Sequence, residues 1–170
     1  MLKIFISAGE HSGDLLGARL IRALKDELDT QNNIDFQGVG GPLMEREGFK
    51  SLFDFSLLSI MGIKDIFINF FPIFKILIQA RNYNLAWKPD LVITIDSPEF
   101  NLRLATMSKV QWKSVKIVHY VLPSVWAWRQ GRVKILKKNF DHILSILPFE
   151  KDFLKNFDIK CDFVGHPIAT

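Results

Sequence analysis

The sequence predicts an α/β fold, a Rossmann-like doubly wound parallel sheet with helices on its faces. Short runs rich in branched residues alternate with longer segments of helical period. Residues 91–95 form a nearly continuous apolar run, which is typical of a strand buried on both faces. The chain has 170 residues, 48% of them hydrophobic and 24% charged, which corresponds to one globular domain.

The first half of the chain predicts three strands and two helices. A strand over residues 2–7 ends before Gly9, and Ser12 then caps a helix with Asp14 in its first turn. A second strand over residues 35–38 is followed by Pro42, which suits the first turn of a short helix, and a weak third strand lies near residues 51–53. The first helix has one apolar stripe, formed by Leu16, Leu20, Leu24 and Leu28.

The second half predicts strands over residues 91–95, 115–121 and 142–147, each after a helical segment. Right-handed crossovers make such strands parallel and bring their carboxyl ends to one edge of the sheet. Ligands bind in the crevice at that edge. The loops there are therefore the candidate sites.

Charge and composition exclude several classes of protein. A net charge of +4 and a pI near 9.2 are too mild for nucleic-acid binding, and no basic run forms a nucleic-acid footprint. Cys161 is the single cysteine, so no disulfide framework or clustered zinc site is predicted, and a reducing compartment is favoured. The apolar run at residues 4–6 is too short for an export signal, and no segment offers the roughly 20 apolar residues of a spanning helix.

The first candidate loop, residues 7–14, follows a buried strand and contains two glycines. Glycines allow a ligand to approach the backbone, and the amides of the following helix attract anions. The candidate binding residues are Gly9, Glu10, Ser12 and Gly13. The alternative is a tight turn between strand and helix, and the same choice applies to residues 38–42.

The second loop places Asp96, the candidate catalytic residue, where a strand leaves the sheet, with Glu99 three residues later and the candidate binding residue Asn101 beyond it. A half-buried carboxylate at that edge has its pKa raised toward the range of a useful base. The alternative is that Asp96 only hydrogen-bonds the turn before Pro98, while Asn101 caps the next helix.

The third loop, residues 119–132, contains two tryptophans and two arginines within seven positions. Indole rings offer stacking faces for a sugar or an acyl chain, and guanidinium groups match phosphate oxygens. The candidates are Ser124, Trp126, Arg129 and Arg132. The alternative is that the indoles lie in the core and the arginines are solvated. His119 lies inside an apolar strand, where a structural histidine is more common than a catalytic one.

An aromatic stretch over residues 61–79 is apolar on nearly every helical face, which indicates either deep burial or insertion into an apolar partner. Its candidate membrane-contacting residues are Phe67, Phe70, Phe71, Phe74 and Leu77. Flanking basic residues could meet lipid head groups. Burial in the core is the alternative.

Several segments together resemble the lipid-A-disaccharide synthase family, and they run in order across the chain. They are residues 7–14, 40–44, 61–62, 88–90, 95–98, 100–101, 119–121, 123–129, 148–150 and 164–166. The tryptophan-containing run together with the two acidic loops is the most specific part. Glu99 departs from the family, which more often has aspartate there.

The resemblance implies a two-lobed B-type glycosyltransferase with its active site between the lobes. Residues 1–170 would be the amino-terminal lobe, which binds the acceptor and the membrane, and a nucleotide-sugar lobe would follow. Because the chain stops at Thr170, we expect it to be unable to make the disaccharide alone. Asp96 matches the family's candidate base, and the aromatic stretch matches its membrane patch.

The implied reaction is inverting transfer of 2,3-diacylglucosamine from its UDP form to 2,3-diacylglucosamine 1-phosphate, with release of UDP. No cofactor or metal is implied, since the sequence has no Asp-x-Asp pair. The implied location is the cytoplasmic face of the inner membrane, bound peripherally, and the sequence leaves a homodimer open. Two rival hypotheses are another UDP-sugar enzyme of the same fold and a non-catalytic lipid- or sugar-binding half-domain.

Overall fold

The computed structural model describes residues 1–28, 34–54, 70–127 and 131–166. Within these ranges the elements are β1 (Leu2–Ala8), α1 (His11–Glu27), β2 (Ile34–Val39), α2 (Pro42–Arg46), β3 (Lys50–Ser51), α3 (Phe70–Trp87), β4 (Leu91–Ile95), α4 (Pro98–Gln111), β5 (Ile117–Tyr120), α5 (Arg132–Asn139), β6 (His142–Ser145), α6 (Pro148–Lys155) and β7 (Cys161–Phe163).

The strands form one seven-stranded sheet in the order β3-β2-β1-β4-β5-β6-β7, and every neighbouring pair is parallel. The predicted doubly wound parallel sheet is therefore confirmed. The order runs outward in both directions from the central pair β1 and β4. Their register pairs Ala8 with Ile95, so both strands end at the same level of the sheet.

Two apolar cores lie on opposite faces of this sheet, because successive strand residues point to opposite sides. On one face Ile4 and Ile6 of β1 pack with α1 and α2. On the other face Phe5 packs with apolar residues of α3, α4, α5 and α6. Right-handed crossovers on either side of β1 produce this division of the helices.

The start of α1 corrects one expectation. The helix begins at His11, and Glu10 is its N-cap with extended backbone, so Ser12 lies inside the first turn and caps nothing. The amide of Asp14 donates to the Glu10 carbonyl over 2.9 Å, so the first helical hydrogen bond forms two residues earlier than a cap at Ser12 would allow.

The predicted leucine stripe of α1 is only partly correct. Leu16 is buried, but Leu28 at the end of the helix is 46% exposed. Each four-residue step overshoots a helical turn by about 40°, so the leucines rotate away from the sheet. Ala18 and Ile21 complete the buried face instead. The short helix beginning at Pro42 is confirmed, whereas β7 was not predicted.

Candidate functional site

The central strands β1 and β4 create a crevice at their carboxyl ends. From β1 the chain continues into α1 on one face, and from β4 it continues into α4 on the other, so the two following loops separate. Gly9 follows β1 and lies close to the loop after β4. A Cβ atom at Gly9 would lie 3.0 Å from the Ser97 hydroxyl oxygen, so the close approach of the loops favours glycine.

The turn that carries Asp96 is built in an uncommon backbone conformation. Asp96 and Ser97 both have positive φ angles, 48° and 43°. Such residues cost free energy and persist only when their surroundings hold them. This local strain at a ligand-binding edge marks the turn as a functional candidate.

Asn101 on α4 supplies the restraint on that turn. Its Nδ2 donates to the carbonyl oxygens of Asp96 over 2.8 Å and Ile95 over 3.0 Å. Its Oδ1 accepts from the Ser7 hydroxyl over 2.7 Å, which ties the turn to β1. The side chain is completely buried, so the structure places this predicted binding residue behind the crevice, where it positions Asp96.

The two carboxylates at the crevice carry perturbed pKa values. Burial raises the pKa of Asp96, although a backbone hydrogen bond at Ser97 opposes the shift. Burial also raises the pKa of Glu10, and the nearby negative charge of Asp96 adds to that effect. The pKa of Asp96 is thus raised, as the sequence predicts for a half-buried carboxylate, and this edge holds two carboxyl groups that are more basic than exposed ones.

Asp96 and Glu10 line a cleft of about 420 Å³ that extends toward β6. The volume lies within the range of small-molecule sites, about 300 to 1,000 Å³. The remaining lining residues come from the loops after β4, β5 and β6 and from the first turns of α5 and α6: Pro98, Val121, Leu122, Pro123, Ser124, Arg132, Ile146, Leu147 and Glu150.

The loop after β5 forms one wall of this cleft. It begins at Val121, whose φ of 72° is rare for a β-branched residue. Ser124 is exposed and lines the cleft. Trp126, a predicted binding residue, is 39% exposed and is absent from the cleft lining, but its indole nitrogen donates to the lining residue Glu150 over 3.2 Å.

Arg132, at the start of α5, lines the cleft and forms an ion pair with Glu99 in the first turn of α4. The Arg132 side chain is 13% exposed. Glu99 therefore orients a predicted phosphate-binding arginine. Arg129 lies outside the described residues.

Two predicted binding residues of the first loop lie away from the cleft lining. Ser12 is exposed in the first turn of α1. Gly13 is buried where α1 crosses the sheet, and a Cβ atom there would lie 3.2 Å from the Cβ of Ala8. Gly13 thus permits close packing of helix on strand.

The predicted membrane-contacting residues Phe74 and Leu77 differ in their exposure to solvent. Phe74 on α3 is 40% exposed, which is unusual for a phenylalanine. Leu77 is 3% exposed and packs in the core, so its predicted membrane contact is wrong. It lies about 60° around the helix from Phe74, which is enough to turn it toward the sheet. Phe67 and the side chains of Phe70 and Phe71 lie outside the described residues. None of the described helices is long and apolar enough to cross a membrane.

Sequence reasoning missed two buried carboxylates. Asp14 accepts hydrogen bonds of 3.0 Å from the amides of Gly41, Leu43 and Met44, and so caps the start of α2 from α1. Glu150, in the cleft lining, accepts a hydrogen bond from the Trp126 indole. For both Asp14 and Glu150 the signal in the sequence was an acidic residue in the first turn of a helix. The sequence does not show which groups these carboxylates hydrogen-bond.

His119 is completely buried on β5, as expected for a structural histidine. Its Nδ1 lies 2.7 Å from the Thr94 hydroxyl, and burial lowers its pKa to about 4. Among the described residues, no three His, Cys, Asp or Glu side chains are grouped so that they could hold a metal ion.

The fold and the cleft together define a Rossmann-like α/β protein with a cleft at the switch point of a parallel sheet, lined there by the two carboxylates Glu10 and Asp96. A family model described as lipid-A-disaccharide synthetase matches residues 4–170. The chain therefore belongs to the lipid-A-disaccharide synthetase family. This confirms the predicted family and its fold class, the Rossmann-like part of a B-type glycosyltransferase.

Individual relatives agree with the family match. The chain is 44% identical over 170 residues to a lipid-A-disaccharide synthase of Ruegeria pomeroyi, covering 100% of this chain and 41% of the relative. It is 46% identical over 167 residues to that of Idiomarina loihiensis, covering 98% and 43%. It is 47% identical over 167 residues to lipid-A-disaccharide synthase 2 of Legionella pneumophila strain Lens, covering 98% and 42%. The chain thus spans less than half the length of these relatives.

Proposed function

We propose that this chain forms the acceptor-binding wall of a lipid-A-disaccharide synthase. In the proposed reaction, 2,3-diacylglucosamine passes with inversion from its UDP form to 2,3-diacylglucosamine 1-phosphate. The observation that carries the proposal is the half-buried Asp96, whose pKa is raised by burial, at the switch-point crevice of a chain that belongs to this family.

Asp96 is the proposed general base. The acceptor hydroxyl is a weak nucleophile, and its proton passes to the Asp96 carboxylate as the new glycosidic bond forms. The bond between the donor sugar and UDP breaks at the same time, and UDP departs with the electron pair. Burial supports this role, because it makes the carboxylate more basic than an exposed aspartate. Glu10, beside Asp96, is suited to accept hydrogen bonds from other sugar hydroxyls.

Arg132 is the proposed partner of the acceptor's 1-phosphate. Its guanidinium lies in the cleft lining, and the ion pair with Glu99 restricts its orientation before a ligand arrives. Ser124 lies along the same wall and supplies a hydroxyl. Trp126, which hydrogen-bonds Glu150 of the cleft lining, is proposed to supply an aromatic surface. Arg129, next to this wall in the sequence, is proposed to favour the same phosphate.

The exposed side of α3 is the proposed membrane contact. Phe74 supplies exposed apolar surface. Phe67, Phe70 and Phe71, whose side chains lie outside the described residues, are proposed as further membrane contacts from the sequence alone. An acylated acceptor resides in a membrane, so an apolar surface on the acceptor-binding part of the enzyme would bring the cleft to its substrate. The proposed location is the cytoplasmic face of the inner membrane.

The test is a chimera in which residues 1–170 replace the matching segment of the Ruegeria pomeroyi relative. The purified chimera is incubated with both lipid substrates, and the disaccharide is measured by mass spectrometry. We expect turnover, and we expect Asp96→Asn to lower it by about 10² to 10⁴, the range for loss of a general base. Asp90→Asn is the matched control, because Asp90 lies before the opposite end of β4 and binds the Lys3 amide.

Each outcome decides between hypotheses. A folded chimera that binds the acceptor without turnover would favour the non-catalytic binding domain. Product formed only with a soluble acceptor would favour another UDP-sugar enzyme. Near-normal turnover by Asp96→Asn, with an unchanged melting temperature, would remove Asp96 from the proposed mechanism.

A further inference from the structure

Glu150 is an unusual residue to find buried. It lies in the first turn of α6, where glutamates are normally solvated, yet only 2% of the residue is exposed. Burying a carboxylate is costly unless its oxygens are hydrogen-bonded. Burial correspondingly raises the pKa of Glu150, although hydrogen bonds from Leu147 and Trp126 oppose the shift.

The two carboxylate oxygens have different partners. Oε2 accepts a hydrogen bond from the Leu147 amide over 3.2 Å, which caps α6. Oε1 accepts from the Trp126 indole nitrogen over 3.2 Å, which links α6 to the loop after β5. Capping requires only the first contact, and a solvated glutamate could provide it. The second contact, with Trp126, is not needed for capping, so it indicates another role for the buried Glu150 carboxylate.

Trp126 is restrained from two sides by α6. Besides the hydrogen bond to Glu150, its ring makes an edge contact with Phe149, with centroids 5.1 Å apart and planes at 85°. Trp126 nevertheless remains 39% exposed, and its partner Glu150 lines the cleft. An aromatic ring that is fixed in place and still accessible loses little entropy when a ligand covers it.

We propose that Glu150 is a positioning residue, whose carboxylate holds the Trp126 indole at the cleft as a preorganised contact surface for the acceptor sugar. This inference rests on the proposed function for the identity of the ligand. It requires that Glu150 affect acceptor binding through Trp126, rather than through the stability of α6.

The experiment is a double-mutant cycle in the chimera, with Glu150→Gln, Trp126→Phe and the combined variant. Phenylalanine keeps an aromatic ring and removes the N–H donor. We expect each single change to raise the acceptor KM about tenfold, as for loss of one charge-assisted hydrogen bond, with kcat nearly unchanged. The combined variant should be no worse than the poorer single variant. Multiplication of the two single effects would overturn the inference.

A second measurement does not depend on turnover. In residues 1–170 labelled with ¹⁵N, the indole N–H signal of Trp126 is the one that Trp126→Phe removes. Glu150→Gln should shift that signal, whereas Glu45→Gln, at an exposed first-turn glutamate of α2, should not. A Trp126 signal unmoved by Glu150→Gln would overturn the inference even in an active enzyme. A wild-type chimera without product would contradict the proposed function alone.

Discussion

Replacing Asn101 by alanine should release the turn that carries Asp96. The buried amide joins this turn to β1 through the Ser7 hydroxyl and the carbonyl oxygens at the end of β4. Alanine leaves these groups buried without their partner. Because Asp96 and Ser97 have positive φ angles, the turn has no intrinsic preference for its present shape.

The expected loss of stability follows from the hydrogen bonds. The amide accepts one hydrogen bond and has two N–H donors, and each bond contributes about 1 kcal/mol net, so the free energy of unfolding should fall by about 3 kcal/mol. For a chain of this size, that loss corresponds to a melting temperature lower by about 6 to 12 °C. Turnover by the chimera should also fall, although the Asp96 carboxylate itself is unchanged.

Urea and thermal unfolding of residues 1–170 measure the loss, and mass spectrometry of the disaccharide measures turnover. Asn82→Ala is the matched control, since Asn82 is an exposed asparagine on α3. Its stability and turnover should match the wild type. If Asn101→Ala loses less than about 1 kcal/mol, the turn is held by other groups and the reasoning from its hydrogen bonds fails.

Three further predictions concern charge and exposure. On the acid side, kcat/KM of the chimera should begin to fall at a pH above the pKa range of an exposed carboxylate, because burial raises the pKa of Asp96 and activity is lost as that base is protonated. A fall at an ordinary carboxylate pKa would contradict this prediction. Phe74→Ser should weaken sedimentation of the protein with anionic vesicles, whereas Val110→Ser, at a 68% exposed valine of α4, should not. If both changes weaken sedimentation equally, α3 is not the specific membrane contact. Between pH 6.5 and about 4, His119 is protonated in the unfolded chain but stays neutral when it is buried in the folded chain, so the free energy of unfolding should fall by about 3 kcal/mol as pH falls. His119→Leu should not show this pH-dependent loss in urea unfolding. If the free energies of the variant and the wild type change in parallel with pH, the prediction is wrong.

The sequence predicted the sheet well because buried parallel strands have a local signature. The run at residues 91–95 is apolar on both faces, and it became β4 with the predicted bounds. Strand β7 was missed because it is only three residues long and two of them are exposed. Its place depends on pairing with β6, which is a nonlocal property.

The candidate site was predictable where a polar residue lies within two positions of the end of a strand, as at Asp96 and Glu10. It was not predictable where a contact joins distant segments, as between Trp126 and Glu150, 24 positions apart. Periodicity alone also failed to separate exposed Phe74 from buried Leu77 on a helix that is apolar on several faces.

The two short edge strands have a consequence for association between sheets. Strand β3 offers two residues and β7 three, so each edge presents few unpaired backbone groups to another strand. Charged side chains lie on both: Lys50 is exposed on β3, and Asp162 on β7 contacts Lys151 and His142. A strand of a second chain could form only a few backbone hydrogen bonds with either edge strand, and it would have to desolvate these charged side chains to do so. The open sheet is thereby guarded against edge-to-edge polymerisation, the route by which exposed β-structure starts fibres.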